Sequence, residues 1–184
     1  MKKWKILNKK DMSPSKWFPI ERHTVEMHDE KIVDDFYISP LGDGVMTLPF
    51  TKDNKIVLIK QYKHGFGEIT YDLPAGFTQV GKSVEASALA ELEEETGIIA
   101  TSSDLFFLGK FCNVPAKLKH TTYSYLVRNV CFNGVQKLDD CEEILVETQE
   151  PQKVISMIKE NIIMKSDVVA TIMKAYLEFP ELFI

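Results

Sequence analysis

The chain has 184 residues, 45% of them hydrophobic and 27% charged, which is ordinary for one domain with its own core. Its formal net charge of −5 argues against a nucleic-acid-binding surface, so an anionic substrate would need cations brought to it. The three cysteines lack CxxC spacing and favour neither a disulfide framework nor a zinc site, and no stretch approaches the ~20 apolar residues that cross a bilayer. The sequence predicts a cytoplasmic protein that binds neither nucleic acid nor membrane.

Strand patterns dominate the first two thirds of the chain. Two pairs of segments rich in apolar and β-branched residues each flank a short polar tip, at 28–30 and at 52–55, and predict two hairpins in series. Three later segments, at 105–111, 122–132 and 142–148, are aromatic or β-branched and predict further strands.

Helix signals are fewer and follow the strands. One helix should begin after Ser83, whose hydroxyl can cap the first-turn amides, and end at Gly97, where glycine accepts a left-handed conformation. Pro151 is a favoured first residue for a second helix, and a third covers 167–179 and ends before Pro180. The order of strands, helix, strands and helices predicts an α/β (α+β) fold, with helices packed on the faces of a mixed sheet.

The first predicted helix carries an acidic cluster in the sequence AELEEETG. At about 100° per residue, Glu91, Glu94 and Glu95 share roughly a third of the helix circumference, whereas Glu93 points away. Adjacent carboxylates repel one another, yet they are the hard oxygen ligands that Mg²⁺ or Mn²⁺ prefers. The octapeptide alone also fits a solvated helix face, so the flanking sequence has to decide.

The stretch from Gly76 to Ile98 resembles the Nudix box. That motif is a glycine, five residues, a glutamate, seven residues, and then Arg-Glu-apolar-x-Glu-Glu-x-Gly-apolar. The positions that match are Gly76, Glu91, Leu92, Glu94, Glu95, Gly97 and Ile98. Two positions depart from the motif: Lys82 stands where the loop glutamate belongs, and Ala90 stands where the arginine belongs.

The flanks resemble one group of that family, the ADP-ribose and ADP-sugar pyrophosphatases. Residues 57–77 are similar to a strand ending in basic-Gln-Tyr-basic that leads into a Pro-Ala-Gly entry. The resemblance runs from about Trp17 to Leu177 and is weakest at 113–120. It implies a Nudix α/β/α sandwich with a mixed sheet over 43–184, preceded by N-terminal antiparallel strands over 1–42.

The resemblance also implies a reaction, the Mg²⁺- or Mn²⁺-dependent hydrolysis of ADP-ribose or an ADP-sugar to AMP and a sugar phosphate. Glu91, Glu94 and Glu95 would hold the cations, and Glu95 is counted among the catalytic residues as well. The backbone carbonyl of Ala75 would be a further metal ligand, and Gly76 would permit the tight approach.

The general base and the substrate contacts lie outside the box. The group takes its base from an acidic loop before a late strand; this selects Glu142, with Glu143 and Asp140 as rivals, while a solvated loop is the alternative. Lys60 and Lys63 would lie near the phosphates, although lysine lacks the bidentate fork of arginine and either residue could simply be an exposed strand end.

The N-terminal residues 1–42 are predicted to form a homodimer, because the corresponding strands of the group pack across a two-fold axis. Trp17 and Phe18 could then stack on an adenine ring supplied across the dimer; the alternative is that both rings are core residues.

The two departures from the box leave other functions open. Ala90 cannot make the charge-assisted hydrogen bonds of the missing arginine, and Lys82 could bring only a point charge toward the acidic cluster. They predict a working but weakened site. The alternatives are a Nudix-fold binding protein or near-inactive relative, and a Nudix enzyme acting on GDP-sugars or dinucleotide polyphosphates.

Overall fold

The computed structural model describes residues 2–184. They fall into two compact units, which we describe separately. The N-terminal unit contains the residues up to 43 together with 112–121, and the larger unit contains 44–111 and 122–184. The segment 112–121, where the resemblance is weakest, thus belongs with the N-terminal strands. No helix within residues 2–184 has the length and apolar character needed to cross a membrane.

The N-terminal unit is a three-stranded antiparallel sheet in the order β1-β2-β3. Its strands are β1 (Lys5–Asp11), β2 (Glu21–Glu26) and β3 (Ile32–Ile38). The predicted hairpin at 28–30 joins β2 to β3 and is closed by a hydrogen bond from Met27 N to Lys31 O at 2.9 Å. All seven residues of β1 are exposed. The resemblance implied antiparallel strands over 1–42, but the sequence pattern placed none at 5–11, because this lysine-rich segment has no buried face.

The larger unit is built on a seven-stranded mixed sheet in the order β10-β5-β4-β9-β8, in which β6 also pairs with β5 and β7 with β4. Its strands are β4 (Gly44–Thr51), β5 (Ile56–Lys63), β6 (Glu68–Asp72), β7 (Ala75–Phe77), β8 (Leu105–Phe111), β9 (Thr122–Val130) and β10 (Ile144–Gln149). Strands β4 and β9 are parallel, and the other pairs are antiparallel. The predicted hairpin at 52–55 is present, but its strands separate beyond the pair Phe50 and Ile56, because β4 continues against β7.

Three helices pack on this sheet: α1 (Val84–Thr96), α2 (Pro151–Lys159) and α3 (Ser166–Glu178). Short 3-10 helices lie at Ser102–Asp104 and Pro180–Phe183. The predicted caps of α1 are confirmed. The Ser83 hydroxyl accepts a hydrogen bond from Ala86 N at 3.1 Å, and Gly97 adopts a left-handed φ of 72°.

The sheet buries apolar side chains on both faces, which confirms the predicted α/β sandwich. Alternate residues of β5 point to opposite sides. Leu58 packs in a core cluster with Val168 of α3, whereas Val57 packs in another with Leu92 of α1. The acidic residues Glu91, Glu94 and Glu95 lie on α1, and therefore on the side of the sheet that α1 covers.

Candidate active site

The predicted acidic face of α1 borders a cleft of about 270 Å³. The cleft lies between α1, the short strand β7 and the loop that precedes β10. Glu91, Glu94 and Glu95 all line it. Glu93 points away as predicted, and its carboxylate instead pairs with the Nζ of Lys137 at 3.3 Å.

Strand β7 brings its backbone against two of these carboxylates. The backbone N–H of Ala75 donates a hydrogen bond to Glu95 Oε2 at 2.7 Å. A Cβ atom at Gly76 would overlap the carboxyl group of Glu91. Glycine at residue 76 therefore leaves the space in which the Glu91 carboxyl group lies.

A neutral donor orients Glu91, where the motif would have an arginine. Gln79 Nε2 donates to Glu91 Oε1 at 3.3 Å, and the backbone N–H of Gln79 is held by Ser87 Oγ at 3.0 Å. Ala90 has no polar side chain to contribute. Lys82 is exposed and forms no ion pair with any residue from 2 to 184, so the structure does not show the point charge that the sequence suggested for it. Gln79 was not found from the sequence because it occupies a variable position of the motif.

The loop before β10 is fixed to the C-terminal end of α1. Gly134 N donates to Gly97 O at 2.8 Å, and the Gln136 side-chain amide donates to both Glu95 O at 2.8 Å and Ile144 O at 3.1 Å. A Cβ atom at Gly97 would come within 3.1 Å of the Gly134 carbonyl oxygen. The absence of a side chain at Gly97 thus allows this loop to approach closely, and the left-handed conformation of Gly97 ends the helix.

The same loop places two carboxylates in the cleft, Glu142 and Asp139. The backbone N–H of Glu142 donates to Asp139 O at 2.9 Å, and Glu142 Oε2 accepts from Asp139 N at 3.3 Å. Asp140 and Glu143, the two rivals named from the sequence, are not among the cleft residues. Asp139 was missed. The backbone hydrogen bond from Glu142 N to Asp139 O forms a turn, and a turn predicted over 139–142 could have identified Asp139.

Burial and repulsion from neighbouring carboxylates raise the pKa values of Glu91 and Glu95. Glu95 is 4% exposed, and its pKa is raised to about 8, mostly by the loss of solvation and to a smaller extent by the charges of Glu91, Asp72 and Glu142. The hydrogen bond from Ala75 opposes this shift only in part. Burial also raises the pKa of Glu91, and neighbouring carboxylates add to the effect. The cleft thus favours a positive charge among its carboxylates.

The donor set fits a divalent cation. Carboxylate oxygens and backbone carbonyls are suitable ligands of Mg²⁺ and Mn²⁺, and a bound cation would reverse the raised pKa values of Glu91 and Glu95. Among the residues that the structure describes, no three acidic, histidine or cysteine side chains form a ready-made metal cage. Mg²⁺ does not need one, because it usually binds through one or two carboxylates, water and substrate phosphates.

Of the four residues predicted to contact the substrate, Gly76 lines this cleft, whereas Lys60, Lys63 and Trp17 do not. The Nζ of Lys60 lies 5.3 Å from the ring centroid of Tyr71, and Lys63 lines a separate pocket. Trp17 belongs to the N-terminal unit, where it is 80% exposed, and Phe18 is also exposed. Neither ring is a core residue of this chain. A stacking role for Trp17 stays a prediction.

Known proteins match the chain at the levels of family, sequence and fold. A family model described as the NUDIX domain matches residues 40–161. A Caenorhabditis elegans relative that bears a nudix hydrolase name is 32% identical over 127 residues, covering 66% of this chain and 56% of the relative. A Methanocaldococcus jannaschii protein named ADP-ribose pyrophosphatase is 46% identical over 57 residues, 31% of each chain. These alignments span about half or less of the relatives' length. A crystal structure of an ADP compounds hydrolase shares the fold, with a TM-score of 0.86 at 20% identity over 98% of this chain and 96% of its own.

Proposed function

Because the chain belongs to the NUDIX family, we propose that it hydrolyses the pyrophosphate bond of a nucleoside diphosphate derivative with the help of a divalent cation. The family predicted from the motif is confirmed. The observation that carries the proposal is the single cleft that gathers Glu91, Glu94 and Glu95 against the backbone of Ala75 and Gly76. A solvated helix face would not bury Glu95 or hold the Glu91 carboxyl group against the backbone of Gly76.

The proposed substrate is ADP-ribose or an ADP-sugar, and the products are AMP and a sugar phosphate. The support is the similarity of the flanking segments to that group and to the Methanocaldococcus jannaschii protein named ADP-ribose pyrophosphatase. GDP-sugars and dinucleotide polyphosphates carry the same pyrophosphate linkage. They are the alternatives that a substrate screen has to separate.

The chain's residues divide the chemistry between α1 and the late loop. Glu91, Glu94 and Glu95, with the Ala75 carbonyl, would hold Mg²⁺ or Mn²⁺. When bound, the cation supplies charge neutralisation for the pyrophosphate and lowers the pKa of the attacking water. We assign to Glu142 the acceptance of the proton from that water. The backbone N–H of Asp139 orients the Glu142 carboxylate.

We propose that the protein is a homodimer and that the N-terminal unit forms the interface. Strand β1 lies at the edge of its sheet, and its whole length is exposed, including Ile6 and Leu7. Trp4 and Trp17 are exposed on the same unit. Edge strands with exposed apolar side chains are typical of surfaces that pair with another chain. Light scattering at micromolar concentration should give twice the 21.0 kDa chain mass, and a monomer would contradict the proposal.

A substrate screen tests the proposed activity. Nucleoside diphosphate derivatives are incubated with the protein and Mg²⁺ or Mn²⁺, and the products are identified by mass. ADP-ribose or an ADP-sugar should give AMP and a sugar phosphate, and EDTA should stop the reaction. Binding without turnover of any compound would support the near-inactive alternative, which the absence of an arginine at Ala90 favours.

A further inference from the structure

Asp72 is a buried carboxylate that the proposed reaction does not use. It is the last residue of β6, it is 1% exposed, and it is not among the residues that line the cleft. Lys165 Nζ donates hydrogen bonds to both of its oxygens, at 3.2 Å to Oδ1 and 2.9 Å to Oδ2, and Leu73 N donates to Oδ1 at 2.8 Å. Loss of Lys165 would therefore leave a buried negative charge without its cation.

Asp72 lies where the sheet divides. Strands β4 and β5 pair at Phe50 and Ile56 and separate beyond that pair, where β5 continues against β6 and β4 continues against β7. The chain crosses from one half of the sheet to the other at residues 72–75, which we call the β6–β7 turn. Strand β7 has only three residues and makes few ladder contacts of its own. The turn that leads into it therefore helps to fix its position.

The β6–β7 turn leads directly to the proposed metal site. The Pro74 carbonyl accepts a hydrogen bond from Thr47 N at 2.9 Å. The next residue, Ala75, donates its backbone N–H to Glu95 Oε2 at 2.7 Å, and its carbonyl is a proposed metal ligand. Asp72 thus precedes a proposed metal ligand by three residues, within a turn whose backbone is hydrogen-bonded to its neighbours.

Lys165 connects this turn to α3. It is the residue before α3, and its Nζ also lies 3.8 Å from Asp167 Oδ1 in the first turn of that helix. Val168 of α3 and Leu73 of the β6–β7 turn belong to the same core cluster. The lysine therefore links the turn to a helix that packs on the sheet face opposite α1.

The position of this ion pair is better explained by geometry than by stability. A buried ion pair contributes little net stability, because the loss of solvation offsets the attraction between the charges. Apolar side chains of similar size are often at least as favourable in such a place. Charge-assisted hydrogen bonds to both carboxylate oxygens are directional, however, and they fix the carboxylate and the backbone that follows it in one arrangement.

We infer that Asp72 and Lys165 are positioning residues of the metal site. Their ion pair holds the β6–β7 turn so that the Ala75 carbonyl and Gly76 stay against the carboxylates of α1. Neither side chain is assigned a contact with the metal or the substrate. The inference rests on the proposed function for the identity of the metal site.

The test measures Mn²⁺ binding to the full chain by electron paramagnetic resonance without substrate, alongside the Mg²⁺ dependence of ADP-ribose hydrolysis. Lys165→Met should weaken Mn²⁺ binding by about 10- to 100-fold, the range for lost supports of metal ligands. Asp72→Asn should weaken it less, because asparagine retains an oxygen that can accept from Leu73 N. In both variants the Mg²⁺ midpoint should rise more than kcat at saturating Mg²⁺ falls. Glu94→Gln should remove the Mn²⁺ signal and so identifies the site being measured.

The direction of the two effects separates positioning from a long-range effect of charge. Lys165→Met removes a positive charge, and Asp72→Asn removes a negative one. Charge alone would therefore strengthen cation binding in the first variant and weaken it in the second. Positioning predicts weaker binding in both variants.

Matched variants separate positioning from general stability. Lys165→Arg retains the ion pair and should bind Mn²⁺ like the wild type. Asp167→Asn removes the other carboxylate near Lys165, which lies in α3 and not in the β6–β7 turn, and Mn²⁺ affinity should not change. Thermal unfolding shows which variants are folded. If Lys165→Met does not fold, the double variant Asp72→Asn/Lys165→Met leaves no unpaired buried charge and should show the same loss of Mn²⁺ affinity.

Three results would overturn the positioning role. They are a wild type that binds no Mn²⁺, an affinity equal to or tighter than that of the wild type in whichever of Lys165→Met and the double variant is folded, and an equal loss in Asp167→Asn. If ADP-ribose is still hydrolysed with Mg²⁺ in that case, the proposed function stands without the positioning role. If Mn²⁺ binds with the predicted variant pattern but no derivative is hydrolysed, the positioning role stands and the proposed function fails.

Discussion

Substituting Gly76 tests whether the position of the Glu91 carboxylate controls the metal requirement. In Gly76→Ala the new methyl group would occupy the space of the Glu91 carboxyl group, so that carboxyl group has to move. It is the end of a flexible side chain, and Gly76 has no left-handed φ, so the fold can accept the alanine. The change in unfolding free energy should stay within about 1 kcal/mol, because alanine also restricts the unfolded chain. The displaced ligand should reduce metal affinity by about 10- to 100-fold, the range for disturbed metal sites.

The assay is a Mg²⁺ titration of hydrolysis at saturating substrate, alongside thermal unfolding. Gly65→Ala is the matched control, since nothing lies within 4 Å of its new Cβ and its backbone is not left-handed. The control should titrate like the wild type, and Gly76→Ala should need more Mg²⁺. A folded Gly76→Ala protein with the wild-type Mg²⁺ midpoint would refute the placement of Glu91 at the metal site.

Three other predictions concern the acidic residues of the cleft. Glu94→Gln and Glu95→Gln should each abolish metal-dependent hydrolysis, measured by AMP release. Glu93→Gln changes a glutamate that does not line the cleft and should retain hydrolysis. An equal loss of activity in all three variants would contradict the assignment of the metal site to Glu94 and Glu95. Glu142→Gln should lower kcat far more than it raises KM, and Glu143→Gln should change neither; steady-state kinetics showing the reverse would move the base to Glu143. In EDTA, the raised pKa of Glu95, about 8 against 4.5, favours folding below pH 4.5, and this contribution is lost as the pH rises toward 8. The free energy of unfolding measured with urea should therefore be lower at pH 9 than at pH 5, by on the order of a few kcal/mol in the wild type. The difference should be smaller in Glu95→Gln.

Local signals made α1 predictable from the sequence. Ser83 and Gly97 fix the ends of the helix through hydrogen bonds within a few residues, and the helical repeat alone places Glu93 away from Glu94 and Glu95. The α2 start at Pro151 followed from the same kind of local chemistry. The order of these elements was then sufficient for the fold class.

Features that depend on distant partners were not predictable. Strands β6 and β7 are short, and their positions are set by pairing with β5 and β4 rather than by their own sequence. Asp139 lies in the cleft because hydrogen bonds from Gly134 and Gln136 fix its loop to α1, and these contacts join segments far apart in the chain. Gln79 contacts Glu91 because the loop before α1 folds back on the helix through Ser87. None of these arrangements leaves a periodic or motif signal.

The most direct test of the account is hydrolysis of ADP-ribose in ¹⁸O-labelled water, with Mg²⁺ present and then removed by EDTA. Mass spectrometry of the products identifies the bond that is cleaved. We predict AMP and ribose 5-phosphate, one of them carrying the label on its phosphate, and no reaction in EDTA or with Glu94→Gln. Release of free adenine, or the same products at the same rate in EDTA, would contradict a metal-dependent pyrophosphatase centred on the acidic face of α1.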